Sequence, residues 1–264
     1  MGLRLLVVLS VLAVPGSAIT LVSVADEIKL GREAQKQVRS STPQIRGAAA
    51  SYVASVGRQL AAKARGPKYP YSFSVANYRD LNAFALPGGP VWVNRGVLQT
   101  ARTESQVAGV LAHEIAHVAQ RHAAQQISKG MIANGLLGLL GAVLGNAGGA
   151  RTAQTGAQVI AGGYLMKFSR DDEREADRVG VEIVRRAGWD PRGLLEFMEL
   201  LRAQAGRDPG SVEVFLSTHP SPAERVQQLR GYVSRESGGR RDSATFQRVR
   251  STLAKMPAAQ RMPR

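Results

Sequence analysis

Apolar residues recur at helical spacing through most of this chain and alternate with polar ones in only a short stretch. Ala25 to about Ser40 is a charged stretch that predicts a helix. Ala48 to Ala64 predicts a second, with Tyr52, Val53, Val56 and Leu60 on one face and Gly66-Pro67 ending it. Tyr71 to Val75 alternates and predicts a strand. Val91-Trp92-Val93 predicts another, entered through the turn signal Pro87-Gly88-Gly89-Pro90. Thr103 with Gln106 three residues on approximates a capping box, and the helix it opens is expected to run to about Ser128. Ser169 to Ala187 reads as a charged amphipathic helix. Asp190-Pro191 opens the next, with Leu194, Leu195, Met198 and Leu201 as its apolar stripe. Ser221-Pro222 opens another, burying Val226, Leu229 and Val233.

Two stretches break this pattern. Met131 to Ala150 carries no charge, and seven of the positions from Gly130 to Gly149 are glycine. It reads either as a buried loop-helix or as an apolar hairpin that enters a bilayer or covers a groove, within a Gly-rich insert over 131–166. Glycines 138, 141 and 145 would permit close helix approach. It is too short and too glycine-rich for a confident membrane span. The N-terminus, MGLRLLVVLSVLAVPGSA, has one early arginine, an apolar stretch and small residues at its end. It predicts a signal peptide over 1–18 cleaved after Ala18, or else an uncleaved anchor. Either one puts the body outside the cytoplasm. No cysteine stands at the junction, which excludes a lipid-anchored lipoprotein. Residues 233–264 hold eight basic and two acidic side chains and are expected to form a flexible basic tail.

Composition narrows the chemistry. The length of 264 residues and the apolar share of 44% suit one buried domain, here expected over 19–232. Cysteine is absent, so a metal site must use histidine and carboxylate. The net charge of +15 fits either solubility alone or attraction to an anionic partner, a membrane surface or nucleic acid. No nucleic-acid motif accompanies it, so nucleic acid is not expected as a partner.

Three of the four histidines lie in LAHEIAHVAQRH, residues 111 to 122. At about 100° per residue His113 and His117 share one helix face, one turn apart, with Glu114 beside them to hold a water. His122 falls about 180° from His113 by the same arithmetic and is expected on the solvated face. A catalytic zinc takes three protein ligands, and the third is either His219 or a carboxylate of SRDDEREADRVG, residues 169 to 180. There Glu173 and Asp177 share a face with Ala176 and Gly180, while Glu175 points away to solvent. Gly109 and Ala116 line the histidine face of the first helix, so two helices with small residues could approach closely. Asp177 is better placed to accept the other ring N–H of a ligand histidine.

These residues resemble the gluzincin family that contains the CAAX prenyl protease, HtpX and the BepA-like periplasmic proteases. The resemblance rests on His113-Glu114-x-x-His117, on Glu173-x-x-x-Asp177, on NAFALPGGPVWV at 82–93 and on STHPSPAER at 217–225. The four segments occur in family order and cover about residues 25–232. The resemblance implies an α+β, mostly α-helical, zincin-type domain with a small sheet at the active-site edge. It implies one zinc ion held by His113, His117 and Glu173, with Glu114 as general base and Asp177 orienting a ligand. His219 and Arg225 would stand near the metal and steady the oxyanion, although His219 could also ligate the resting ion. The strand of Asn82, Ala83, Phe84 and Ala85 would pair with an extended peptide. The expected function is a zinc endopeptidase acting on extracytoplasmic polypeptides in envelope protein quality control, near a membrane. The alternative is a zinc-binding, membrane-associated chaperone or adaptor with little proteolysis. The chain departs from the family's integral-membrane members in lacking their clear spans. It departs from the BepA-like members in having a short basic tail where they carry helical repeats.

Overall fold

The computed structural model describes residues 20–143, 167–220, 222–233 and 238–263. The expected signal segment and most of the Gly-rich insert lie outside them. The first helix, α1 (Val24–Ser41), starts at a capping box in which Ser23 and Asp26 bond each other's backbone N–H. It buries Glu27, Gly31, Ala34 and Val38, a helical stripe. A Cβ on Gly31 would sit 1.7 Å from the Pro87 carbonyl oxygen, so only glycine lets α1 lie on that turn. The second helix, α2 (Ala48–Ala61), buries the four apolar residues that its periodicity predicts.

The sheet has four short strands: β1 (Gln44–Ile45), β2 (Ser72–Ala76), β3 (Ala83–Ala85) and β4 (Pro90–Asn94), in the order β1-β2-β4-β3. β2 and β4 run parallel; the two outer pairings are antiparallel. β3 is therefore an edge. Asn82 accepts from the Asn94 N–H at 2.9 Å, and the Leu86 N–H donates to Pro90 at 2.8 Å. Antiparallel pairing alternates, so residues 82, 84 and 86 face β4, and Ala83 (buried) and Ala85 (half-buried) turn their N–H and C=O to the edge that no strand pairs.

After the short α3 (Arg95–Thr100) comes α4 (Glu104–Ala119), which is buried along its whole length and carries the HExxH motif. Thr103 makes no side-chain cap. Gln106 instead accepts from the Arg102 N–H at 2.7 Å, one residue outside a capping box. The helix also stops earlier than its sequence suggests. Arg121 takes φ 62°, in the left-handed region, and a separate helix, α5 (His122–Val143), begins after it. Arg121 is held there by Glu27 at 2.6 Å and by Thr20 and the Val22 carbonyl.

Two further helices, α6 (Arg170–Arg186) and α7 (Arg192–Arg207), pack on α4. α6 opens at a second capping box, Ser169 with Asp172. An added Cβ on Gly180 would lie 3.3 Å from the backbone of His113, so glycine sets the α4–α6 distance where the motif lies. Gly109, expected to face α6, lies against Leu194 of α7 instead. A 3-10 turn, the short α8 (Glu213–Thr218) and α9 (Pro222–Val233) follow.

The expected flexible tail is folded over much of its length. Its helix α10 (Ala244–Ala254) buries Phe246, Val249 and Leu253 in the main core. Arg95, itself buried, donates to the carbonyls of Leu253, Met256 and Pro257, and Met262 reaches a second apolar cluster beneath the sheet. Three apolar residues at i, i+3 and i+7 outweigh the net basic charge that suggested disorder.

Candidate active site

His113 and His117 project from the same face of α4, with their Nε2 atoms 3.0 Å apart. Glu173 on α6 meets both: its Oε2 lies 3.5 Å from His113 Nε2 and its Oε1 3.5 Å from His117 Nε2. Tetrahedral zinc with ordinary bond lengths separates its ligand atoms by about 3.3–3.6 Å; each histidine nitrogen lies at that spacing from one oxygen of Glu173, and the two nitrogens, at 3.0 Å, lie slightly closer together. His219, just after α8, joins them, and one ligand atom from each of the four residues lies within 4.8 Å of the others. Its Nδ1 is 2.8 Å from Glu173 Oε1 and its Nε2 is 3.7 Å from Glu114 Oε1. Glu114 is buried, yet neither carboxylate oxygen has a hydrogen-bond partner. A bare buried carboxylate is costly, and here it stands beside four cation-binding side chains. The donor set is nitrogen and carboxylate oxygen, as zinc takes in a chain without cysteine.

Behind the cluster, His113 Nδ1 lies 3.1 Å from Asp177 Oδ1. Arg225 Nη2 donates to Asp177 Oδ1 at 2.6 Å and Nε to Oδ2 at 2.8 Å, while Nη1 pairs with Glu173 Oε2 at 2.6 Å. The guanidinium is thus taken up by the two carboxylates of α6. Arg225 stands beside the cluster as expected, with Nη1 ion-paired to Glu173 but without a hydrogen-bond partner. Burial alone would raise Glu173, but His219 and Arg225 outweigh it and hold the acid well below the usual range. Asp177 is lowered by Arg225 against the same burial. Burial pushes His117 well below the ordinary histidine value, and His113 beside it adds to this. Burial and Arg225 oppose protonation of His113, yet Asp177 and Glu173 prevail and raise it to about 9.

His122 departs from its expected place. It is fully buried, not solvated, with Nδ1 2.9 Å from Nδ1 of His117. Its Nε2 lies 3.3 Å from Oε2 of Glu175, which was expected to face water alone and is partly exposed. The 100° arithmetic fails because Arg121 ends α4 and redirects the chain. Phe168, stacked on His117 at 4.0 Å, and Phe215, stacked on His219 at 4.7 Å, complete the walls. Neither carries a sequence signal; Phe168 stands just before the Ser169 cap. β3, with Asn82, Ala83, Phe84 and Ala85, packs on α4 at the sheet's open edge.

A buried HExxH helix crossed by a second helix with a glutamate and an aspartate one turn apart defines a zinc metallopeptidase domain of the gluzincin type. Residues 48–233 match the model of peptidase family M48, and the chain belongs to that family. It is 34% identical over 220 residues to the beta-barrel assembly-enhancing protease of Escherichia coli (strain K12), which covers 81% of this chain and 45% of that protein. It is 32% identical over 182 residues to the mitochondrial metalloendopeptidase OMA1 of Schizosaccharomyces pombe, 69% of this chain and 52% of that one. It is 30% identical over 190 residues to metalloprotease YcaL of E. coli, 70% of this chain and 73% of that one. The chain thus spans about half the length of the first two relatives.

Proposed function

We propose that this protein is a zinc-dependent endopeptidase that cleaves extracytoplasmic polypeptides in envelope protein quality control. The observation that carries it is the convergence of His113, His117, Glu173 and His219 beside the unsatisfied carboxylate of Glu114. His113, His117 and Glu173 hold the ion. Zinc, when bound, supplies a Lewis acid for the scissile carbonyl and lowers the pKa of water. Glu114 takes the proton of the attacking water and returns it to the leaving amine. Asp177 keeps the His113 proton on Nδ1, and Arg225 fixes Asp177 and Glu173 relative to one another. His219, between Glu173 and Glu114, either donates to the developing oxyanion or occupies the remaining ligand position at rest. An extended substrate pairs with the outward N–H and C=O groups of Ala83 and Ala85.

The envelope setting draws on the apolar N-terminal stretch and on the beta-barrel assembly-enhancing proteases among the relatives. Membrane association draws on the exposed Leu21, Met131 and Ile132, near one another through the bond from the Leu21 N–H to Ser128 on α5. No helix among the described residues is long and apolar enough to cross a membrane. Metal analysis and casein cleavage test the enzyme reading. The wild type should carry one zinc and lose activity to a chelator. Glu114→Gln should keep the zinc and cleave at least ~100-fold more slowly. Zinc retention with no chelator-sensitive cleavage by the wild type would instead favour a binding or chaperone role.

A further inference from the structure

His122 is buried, sits outside the HExxH motif and bonds a ligand histidine on the side away from the cluster. Its partners decide what it can do there. His117 turns Nε2 toward His113 and Glu173, at 3.0 and 3.5 Å. To ligate through that atom it must carry its proton on Nδ1. Nδ1 faces Nδ1 of His122 at 2.9 Å, so His122 must accept there and carry its own proton on Nε2. That Nε2 faces the Glu175 carboxylate at 3.3 Å, and an ionised carboxylate can only accept. The reverse order would put a proton on Glu175 and move the His117 proton to Nε2, where it blocks ligation.

We propose that His122 and Glu175 are positioning residues that hold His117 in its metal-binding tautomer through a histidine-to-histidine relay. The two ligand histidines are then anchored to the same helix by different routes. His113 reaches Asp177 directly, and His117 reaches Glu175 through His122. Glu175 points away from Glu173 and Asp177 on α6, and it can serve His117 only because α5 brings His122 in from the other side. The left-handed turn at Arg121 makes this possible, and Glu27 of α1 pins that turn.

The inference rests on His117 being a zinc ligand, and the experiment separates the two claims. Zinc affinity of the full chain is measured by competition with a chromophoric chelator, alongside the melting temperature of the metal-free protein. His122→Leu, which keeps bulk but accepts nothing, should weaken zinc binding by ~10–100-fold. His122→Asn, whose amide oxygen can stand near the lost Nδ1, should restore affinity to within a few-fold of wild type. Glu175→Leu, at a partly exposed position where folding is not at stake, should weaken binding by a smaller factor. Wild-type zinc affinity in both His122→Leu and Glu175→Leu, whatever their melting temperatures, would overturn the relay. His117→Ala should abolish tight binding; if it does not, the ligand assignment itself fails, and the relay with it.

Discussion

Arg225 grips Asp177 through two donors, at 2.6 and 2.8 Å, in a place where neither side chain meets water. The fork is bidentate, and Nη1 extends it to Glu173. Removing the cation leaves two buried carboxylates with only His113 and His219 to compensate them. Arg225→Leu should therefore destabilise the protein by about 3–5 kcal/mol and reduce its zinc content. Arg225→Lys should recover little, because an ammonium cannot span both oxygens of Asp177 and one of Glu173. Urea unfolding and metal analysis read both effects; a fully stable, zinc-loaded Lys variant would refute the fork's importance.

The metal-free protein should lose stability as pH rises toward 9. His113 is raised to about 9 from an ordinary 6.5. A raised folded-state value contributes stability fully below the unfolded value and loses it as pH climbs through the folded one. Zinc needs the neutral ring, so its affinity should move the opposite way. It should climb ~10-fold per pH unit up to about 9 and then level off, as one proton is displaced per ion. Competition titrations at pH 7, 8 and 9 measure the slope, and a flat line would mean that His113 is already neutral.

Gly180 sets how closely α6 lies against the motif helix. Its missing Cβ would stand 3.3 Å from His113 N and Cα. Gly180→Ala should be tolerated with a shift of a few tenths of an ångström. Gly180→Leu should cost about 1–3 kcal/mol and move Glu173 away from the histidines. Zinc loss with the helical circular dichroism signal retained is the expected signature.

Truncation before Ser243 should unfold or strongly destabilise the domain rather than trim a loose end. It removes Phe246, Val249 and Leu253 from the core, worth about 1.5–3 kcal/mol each when fully buried. It also strips buried Arg95 of its three carbonyl acceptors. A truncated chain with an unchanged melting temperature would contradict this.

Much of the site is legible from local spacing. A helix repeat of 3.6 residues puts His113 and His117 on one face, and Glu173 and Asp177 on another, whatever surrounds them. Small residues at Ala176 and Gly180 announce a close helix partner. The apolar stripes of α2 and α9 follow from period alone; α7 buries Leu194, Met198 and Leu201 as expected, together with Phe197, while Leu195 is half-buried. Chain pattern and composition thus determined a mostly helical domain, a cysteine-free nitrogen and oxygen donor set, and which residues could converge.

Tertiary structure decided the rest. Helical extrapolation from His113 puts His122 in solvent, but α4 ends at Ala119 and the left-handed Arg121, held by Glu27 more than ninety residues earlier in the chain, turns the next helix inward. Gly109 serves α7 rather than α6. Arg225 proved to be bound up with Asp177 and Glu173 because α9 inserts it between them. The tail, basic in composition, folds because the core offers a site for three of its apolar side chains. Periodicity reports which face of an element is apolar, but it carries no information on where a helix is interrupted by a distant contact, nor on which neighbour a face will meet.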